Sequence, residues 1–197
     1  MRIIAGELRG RRLLSPEGRR TRPTSDRLRE TLFNILSSRI PDAVVLDLFA
    51  GTGALGLEAV SRGAASAVLV DGSAAAVSLI ARNIQLLSIE KKARVIRWDI
   101  LRNLNPLRNI EPLFDLIFLD PPYSQGMVVP ALRHLVESRS MAGEARIVIE
   151  HSVSETIASD IAGLELCDQR TYGKTIVTFM SYRSSGTCES SPVFDFI

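Results

Sequence analysis

The chain has 197 residues, 46% of them hydrophobic and 23% charged, with 24 basic and 22 acidic side chains for a net charge of +2. That length and balance suit one well-packed domain with a small addition, and exclude disorder as the general state of the chain. No apolar run reaches the roughly 20 residues of a spanning helix and no secretory hydrophobic segment follows Met1, so a cytoplasmic protein without a membrane partner is expected.

In chain order, the first thirty residues carry nine arginines against four acidic side chains, which leaves the remainder at −3. The planar guanidinium fork suits phosphate and base-edge contacts, so this asymmetry favours a nucleic-acid partner. RIIAGELRGRRLL at 2–14 shows two apolar stretches around a glycine-containing turn, a pattern that predicts a small β-hairpin. After the polar stretch 15–23, Leu28, Leu32, Ile35 and Leu36 share a helical face, with Thr24 or Ser25 as N-cap, and Pro41 closes the element. Residues 1–42 read as an N-terminal hairpin-and-helix appendage.

From Val44 onward short apolar strands alternate with helical segments. Strands are predicted near Val44–Phe49, Ala67–Asp71, Arg94–Trp98, Leu116–Leu119, Arg146–Glu150, Glu165–Cys167 and Thr175–Tyr182. Helices are predicted at Ala54–Arg62, Ala74–Leu87, Met127–Arg139 and Ser154–Ile161. The expected fold is α/β: a Rossmann-like, doubly wound, mainly parallel seven-stranded sheet with helices on both faces, spanning 43–183. Residues 184–197 are polar and patternless, and a flexible tail is expected. Cys167 and Cys188 support neither a disulfide framework nor a zinc site, and His134 and His151 read as surface or packing residues, so no metal is expected.

VVLDLFAGTGALGLEA at 44–59 is a strand, a glycine-rich turn and a helix. Gly51, Gly53 and Gly56 satisfy GxGxxG, which fits a dinucleotide and S-adenosylmethionine alike. Asp47 falls beside the amino-acid portion of a ligand, or else stabilises the turn. Asp71 ends the second strand, where a carboxylate accepts ribose hydroxyls, and Asp99 ends the third beside Trp98, where an adenine amino group would lie. Four strand-end carboxylates, Asp47, Asp71, Asp99 and Asp120, disfavour a pyrophosphate and favour a sulfonium cation.

FDLIFLDPPYSQG at 114–126 places Asp120, Pro121, Pro122 and Tyr123 directly after an apolar strand. Two successive prolines fix the local path. The lone pair of an exocyclic base amine is delocalised into the ring, making it a poor nucleophile. The Asp120 carboxylate and the Pro121 carbonyl can accept both amino hydrogens and stabilise charge developing on nitrogen, while Tyr123 stacks on an extruded base.

With RIIAGELRGRRL, RPTSDRLRETLFNIL at 22–36, DLFAGTGALGLEA, DPPY and YGKT at 172–175, nearly the whole chain resembles the bacterial 16S ribosomal RNA guanine-N2 methyltransferases of the RsmD type. The resemblance implies S-adenosylmethionine as cofactor, the N2 amine of a guanine as acceptor, and 16S rRNA or the small ribosomal subunit as partner. The catalytic motif carries over to Asp120, Pro121, Pro122 and Tyr123. The cofactor set is Asp47, Phe49, Ala50, Gly51, Thr52, Gly53, Asp71, Gly72, Asp99 and Ile100, and Asp71 stands where the resemblance leads one to expect Glu. Arg9, Arg11, Arg12, Arg22 and Arg27 become candidates for gripping RNA phosphates. A monomer is expected. The alternatives are a DNA adenine-N6 or cytosine-N4 methyltransferase, a glutamine-modifying protein methyltransferase, an NAD-dependent oxidoreductase and a non-enzymatic RNA-binding protein.

Overall fold

Short apolar runs ending in a carboxylate or a glycine turn form the parallel strands of the chain. In the computed structural model, which describes residues 1–16, 23–155, 157 and 161–183, they are β1 (Val44–Leu48), β2 (Ser66–Asp71), β3 (Ala93–Arg97), β4 (Phe114–Leu119) and β5 (Met141–Ser152). With β6 (Leu164–Tyr172) and β7 (Thr175–Tyr182) they make one sheet of order β3-β2-β1-β4-β5-β7-β6, in which β7 is antiparallel to both neighbours. The expected seven-stranded, mainly parallel sheet is therefore the one observed. The strand order reverses beside β1, which lies between β2 and β4, and such a switch point opens a crevice at the carboxyl ends of the strands.

Alternate strand residues point to opposite faces, and each face has its own helices. Val45, Leu69 and Phe118 pack with Leu32 and Phe33 of α1 (Pro23–Ile35), Leu57 of α2 (Ala54–Ser61) and Ile80 and Ile84 of α3 (Ala74–Leu87). Leu46, Ile117 and Ile147 pack with Leu132 and Leu135 of α4 (Val128–Ser138). Phe33 and Phe118 are fully buried with ring centroids 5.6 Å apart, each worth about 1.5–3 kcal/mol of burial. No described helix is long and apolar enough to cross a membrane.

The expected N-terminal hairpin is reduced to a single bridge, Arg2 to Arg12. Its central amides are used elsewhere: Ile4 and Ala5 donate to the Glu58 carboxylate at 2.8 and 3.0 Å, and Glu7 and Leu8 donate to Ser61. The segment keeps hairpin hydrogen bonds from Ile3 N–H to the Arg11 carbonyl at 3.0 Å, Gly10 N–H to the Ile3 carbonyl at 2.9 Å and Leu13 N–H to the Met1 carbonyl at 3.1 Å, and docks its central amides on the end of α2. Gly6 makes this approach possible, with φ +84° and no room for a Cβ against the Ser61 carbonyl. Ile3 and Leu13 enter the same apolar cluster as β1 and α2.

Three further differences have local causes. β5 begins five residues earlier than expected, because Gly143 and the left-handed Glu144 (φ 63°) break the period in sequence while its pairing with β4 resumes after a register shift. β6 is longer than expected because most of its side chains are exposed, which erases any alternation. The helix expected over Ser154–Ile161 falls partly outside the described residues, and the described positions Ser154, Glu155, Ile157 and Ile161 are not helical. α1 begins at Pro23, whose fixed φ suits the first helical position, so Thr24 and Ser25 lie inside its first turn and neither is the N-cap expected, while the tail 184–197 lies outside the described residues.

Candidate active site

The turn after β1 is held in a compact left-handed path, with φ of 59° at Phe49, 58° at Gly51 and 78° at Gly53. Glycine is favoured at Gly53 by its φ of 78°, and a Cβ there would press on the Leu69 Cδ2 methyl at 2.9 Å. Ala50 donates to the Val70 carbonyl at 3.1 Å and Gly53 to the Ala50 carbonyl at 2.7 Å. Asp47 Oδ2 accepts the Gly56 N–H at 2.9 Å and so satisfies an amide in the first turn of α2. Only 1% exposed, Asp47 has its pKa pushed up to about 7 by burial, opposed by the Gly56 N–H and reinforced by Asp71.

Asp71 bridges two loops, with Oδ2 accepting the Gly51 N–H at 2.9 Å and Oδ1 the Ser73 N–H at 2.8 Å. Gly72 follows it on the surface. Asp99 is exposed and accepts the Leu101 N–H at 3.0 Å, whereas Ile100 is buried and its carbonyl meets His134 Nδ1 at 3.0 Å. Trp98 packs on the apolar cluster around α4 and donates its indole N–H to the Asn103 carbonyl at 2.8 Å. His151 is buried and satisfied by Thr178 and two backbone carbonyls, as a packing histidine should be. Among the described residues no group of His, Cys, Asp or Glu side chains is arranged to hold a metal ion.

Leu48 pairs with Leu119, so the turn after β1 and the tetrapeptide after β4 leave the sheet side by side. The Asp120 N–H lies 3.5 Å from the Leu48 carbonyl. Burial first, then Glu150 and Asp47, push the Asp120 carboxyl well above the usual carboxylate range. The Tyr123 hydroxyl donates to Glu150 Oε1 at 2.6 Å and meets Thr175 Oγ1 at 3.0 Å, leaving its ring 42% exposed. Thr175 is the last residue of YGKT, which thereby acquires a place in the site. Glu150 was not among the expected site residues although the strand expected over Arg146–Glu150 ends on it, as the carboxylates Asp71 and Asp120 follow their apolar runs; the observed β5 continues two residues further, to Ser152.

Two buried polar residues join the N-terminal segment to this crevice, and neither was expected from sequence. Asn83 on α3 donates to the Thr52 carbonyl at 3.0 Å and the Leu14 carbonyl at 3.2 Å, and accepts the Leu14 N–H at 2.7 Å. Glu58 on α2 binds Ile4, Ala5 and Arg62, with Arg29 3.9 Å away. Thr52 itself donates to Met1 Sδ at 3.5 Å. Of the arginines expected to face RNA, Arg9 and Arg27 line an open groove of about 350 Å³ with Arg2, Asp26 and Glu30. Arg12 is exposed, Arg11 donates to the Leu86 carbonyl at 2.6 Å at the end of α3, and Arg22 lies outside the described residues.

A dehydrogenase built on this sheet would leave the rigid Asp120–Tyr123 turn without work, whereas transfer of a methyl group occupies both halves of the crevice. The fold and its relatives define the class as a Rossmann-like methyltransferase. A family described as "Conserved hypothetical protein 95" matches residues 1–181. The chain is 36% identical over 190 residues to the ribosomal RNA small subunit methyltransferase D of Escherichia coli K12, covering 96% of this chain and 93% of that one. It is 39% identical over 153 residues to the protein of the same name from Haemophilus influenzae, covering 76% and 78%. The solved structure of yhhF from Escherichia coli superposes with a TM-score of 0.80 at 35% identity, covering 93% of this chain and 98% of that one. That of SMU.776, complexed with SAH, shares the fold at 14% identity and a TM-score of 0.62, covering 82% of this chain and 50% of that one. The chain belongs to the RsmD family of methyltransferases.

Proposed function

We propose that the chain transfers a methyl group from S-adenosylmethionine to the N2 amine of a guanine in small-subunit ribosomal RNA, acting as a monomer. The observation that carries this reading is the pairing of Leu48 with Leu119, which sets the glycine turn and the DPPY turn next to each other at the switch point of the sheet. The donor set fits the cofactor. Asp47, Asp71 and Asp99 lie at or within two residues of the carboxyl ends of β1, β2 and β3, a set of carboxylates that favours a cationic ligand over a pyrophosphate. Asp71 and Asp99 would hold the ribose and the adenine, while Phe49, Ala50, Gly51, Thr52, Gly53, Gly72 and Ile100 contribute backbone and shape.

When bound, S-adenosylmethionine supplies a methyl group on a sulfonium. The Asp120 carboxylate and the Pro121 carbonyl accept the two amino hydrogens, orienting the nitrogen lone pair toward that methyl and stabilising the charge that develops. Pro122 fixes the turn, and the Tyr123 ring stacks on the extruded base. Methylation acidifies the amine, and the Asp120 carboxyl, held high by burial, is suited to receive the proton as it leaves. In this reading residues 1–42 grip RNA through Arg9, Arg12, Arg22 and Arg27, and residues 43–183 bind cofactor and perform the chemistry. Arg11 contributes through α3. Small subunits lacking the modification, incubated with labelled S-adenosylmethionine and digested to nucleosides, should yield N2-methylguanosine. N6-methyladenosine, or label in protein alone, would overturn the substrate.

A further inference from the structure

Asp120 and Glu150 line one cavity of about 140 Å³ whose remaining walls are Met1, Leu28, Arg29, Leu32, Ala54 and Leu55. Two carboxylates share an otherwise largely apolar slot at the ends of β4 and β5, so it accepts a flat group with greasy faces and hydrogen-bond donors along one edge. Asp120 is assigned to the amine that reacts. Glu150 has no such assignment, and among the described residues only its Oε1 is engaged, by the Tyr123 hydroxyl at 2.6 Å. We infer that Glu150 is the residue that selects guanine, its second oxygen accepting the N1–H adjacent to the N2 amine held by Asp120. This inference rests on the methyl-transfer reading above.

The chemistry of the bases gives the selection its direction. Beside its exocyclic amine, guanine presents a second donor, N1–H. Adenine has the acceptor N1 beside its N6 amine, and cytosine the acceptor N3 beside its N4 amine. A carboxylate facing a ring acceptor leaves two unpaired lone pairs opposed in a dry pocket, which costs far more than forgoing one hydrogen bond. The Tyr123 bond fixes Glu150 Oε1 and therefore the direction of Oε2. Burial and the neighbouring Asp120 place the two carboxyls in tension, and a donor edge bridging them relieves it.

The test compares guanine with 2-aminopurine, which keeps the N2 amine but has an acceptor at N1. Small subunits are reconstituted with 16S rRNA carrying either base at the methylated position, and methyl incorporation gives kcat/KM for each. Wild-type protein should prefer guanine by about 10- to 100-fold. Glu150→Gln, whose amide can donate to N1, should shrink that ratio at least tenfold while S-adenosylmethionine affinity and thermal melting stay near wild type. Equal rates on the two bases with wild-type protein, or an equal loss on both in Glu150→Gln, would overturn the role of Glu150. If Glu150→Gln fails to fold, the wild-type ratio alone decides. Absence of N2-methylguanosine from the wild-type reaction on the guanine substrate would instead overturn the underlying methyl-transfer reading.

Discussion

The Tyr123 hydroxyl and Glu150 Oε1 stand 2.6 Å apart, so the last residue of the DPPY turn is tied to the end of the neighbouring strand β5. Burial and Glu150 push the phenol above its ordinary pKa, which keeps it a donor. Tyr123 stays 42% exposed with this bond made, so its ring is open enough to stack. Tyr123→Phe retains the ring and loses the tether, and should lower kcat/KM for methyl transfer by about 3- to 10-fold. Tyr123→Ala loses both, and should lower it by about 100-fold. Equal losses in the two variants, measured as label incorporated into small subunits, would mean that the ring does not stack.

Asp47 makes stability depend on pH in a stated direction. Its folded pKa, about 7, lies above the unfolded value of 3.8, so the folded state holds the extra proton between those values. Stability from this group is therefore full below about pH 4 and declines as pH rises toward and through 7. The whole displacement is worth ~4 kcal/mol at most. Asp47→Asn removes the titration and can still accept the Gly56 N–H, so it should melt above wild type at pH 8 and near it at pH 5. In the proposed cofactor role of Asp47, the variant's affinity for S-adenosylmethionine should also fall. Melting curves that keep the same separation at both pH values would contradict the assignment.

Strand ends were the legible part of the site. Asp47, Asp71, Asp99 and Asp120 each follow an apolar run, and a run of that kind announces its own end. Glu58 and Asn83 carry no such mark: both sit on helices among residues of ordinary helical type, and their partners in the N-terminal segment lie 53 to 69 positions away. Only the fold of residues 1–14 onto α2 and α3 distinguishes them from solvated side chains. The same long-range pairing explains why the hairpin read from RIIAGELRGRRLL pairs between Met1–Ile3 and Gly10–Leu13 but goes no further at Ile4 and Ala5. Local alternation was present, but the Glu58 carboxylate competes for the Ile4 and Ala5 amides and wins, because charge-assisted bonds are roughly twice as strong as neutral ones.

Glu58→Gln removes the charge that Arg62, Arg29 and two amides converge on. Breaking a buried pair from one side leaves the other charge uncompensated, at a cost of about 3–5 kcal/mol. The melting temperature should fall by about 6–20 °C or the protein should lose its cooperative transition. Hydrogen exchange should quicken first at Ile4 and Ala5. If those amides stay protected in a folded variant, the carboxylate is not what holds the segment.

Asn83→Ala should act on the glycine turn after β1, the proposed cofactor loop, through the backbone. It frees the Thr52 carbonyl and both polar groups of Leu14 in a buried setting, costing about 1–3 kcal/mol for each group left unpaired. S-adenosylmethionine affinity by titration calorimetry should drop by about tenfold, more than the affinity for small subunits. Unchanged cofactor binding in a variant with a lowered melting temperature would confine Asn83 to a structural role.

The arginines of the first thirty residues divide by what they already touch. Arg9 and Arg27 open onto one groove and Arg12 is exposed, whereas Arg11 caps the carboxyl end of α3 through the Leu86 carbonyl at 2.6 Å, where a cation also meets the negative end of the helix dipole. Replacing Arg9, Arg12 and Arg27 with Ala should weaken RNA binding and flatten its salt dependence, with the slope of log K against log salt falling by about 0.7 to 0.9 for each phosphate no longer neutralised. Arg11→Ala should change that slope little and lower the melting temperature instead, by the loss of a cap worth about 0.3–1 kcal/mol. Binding measured at several salt concentrations separates the two groups. If Arg11→Ala flattens the slope as much as any one of the others, the guanidinium releases Leu86 to reach the phosphate, and the capping geometry describes only the protein without its RNA.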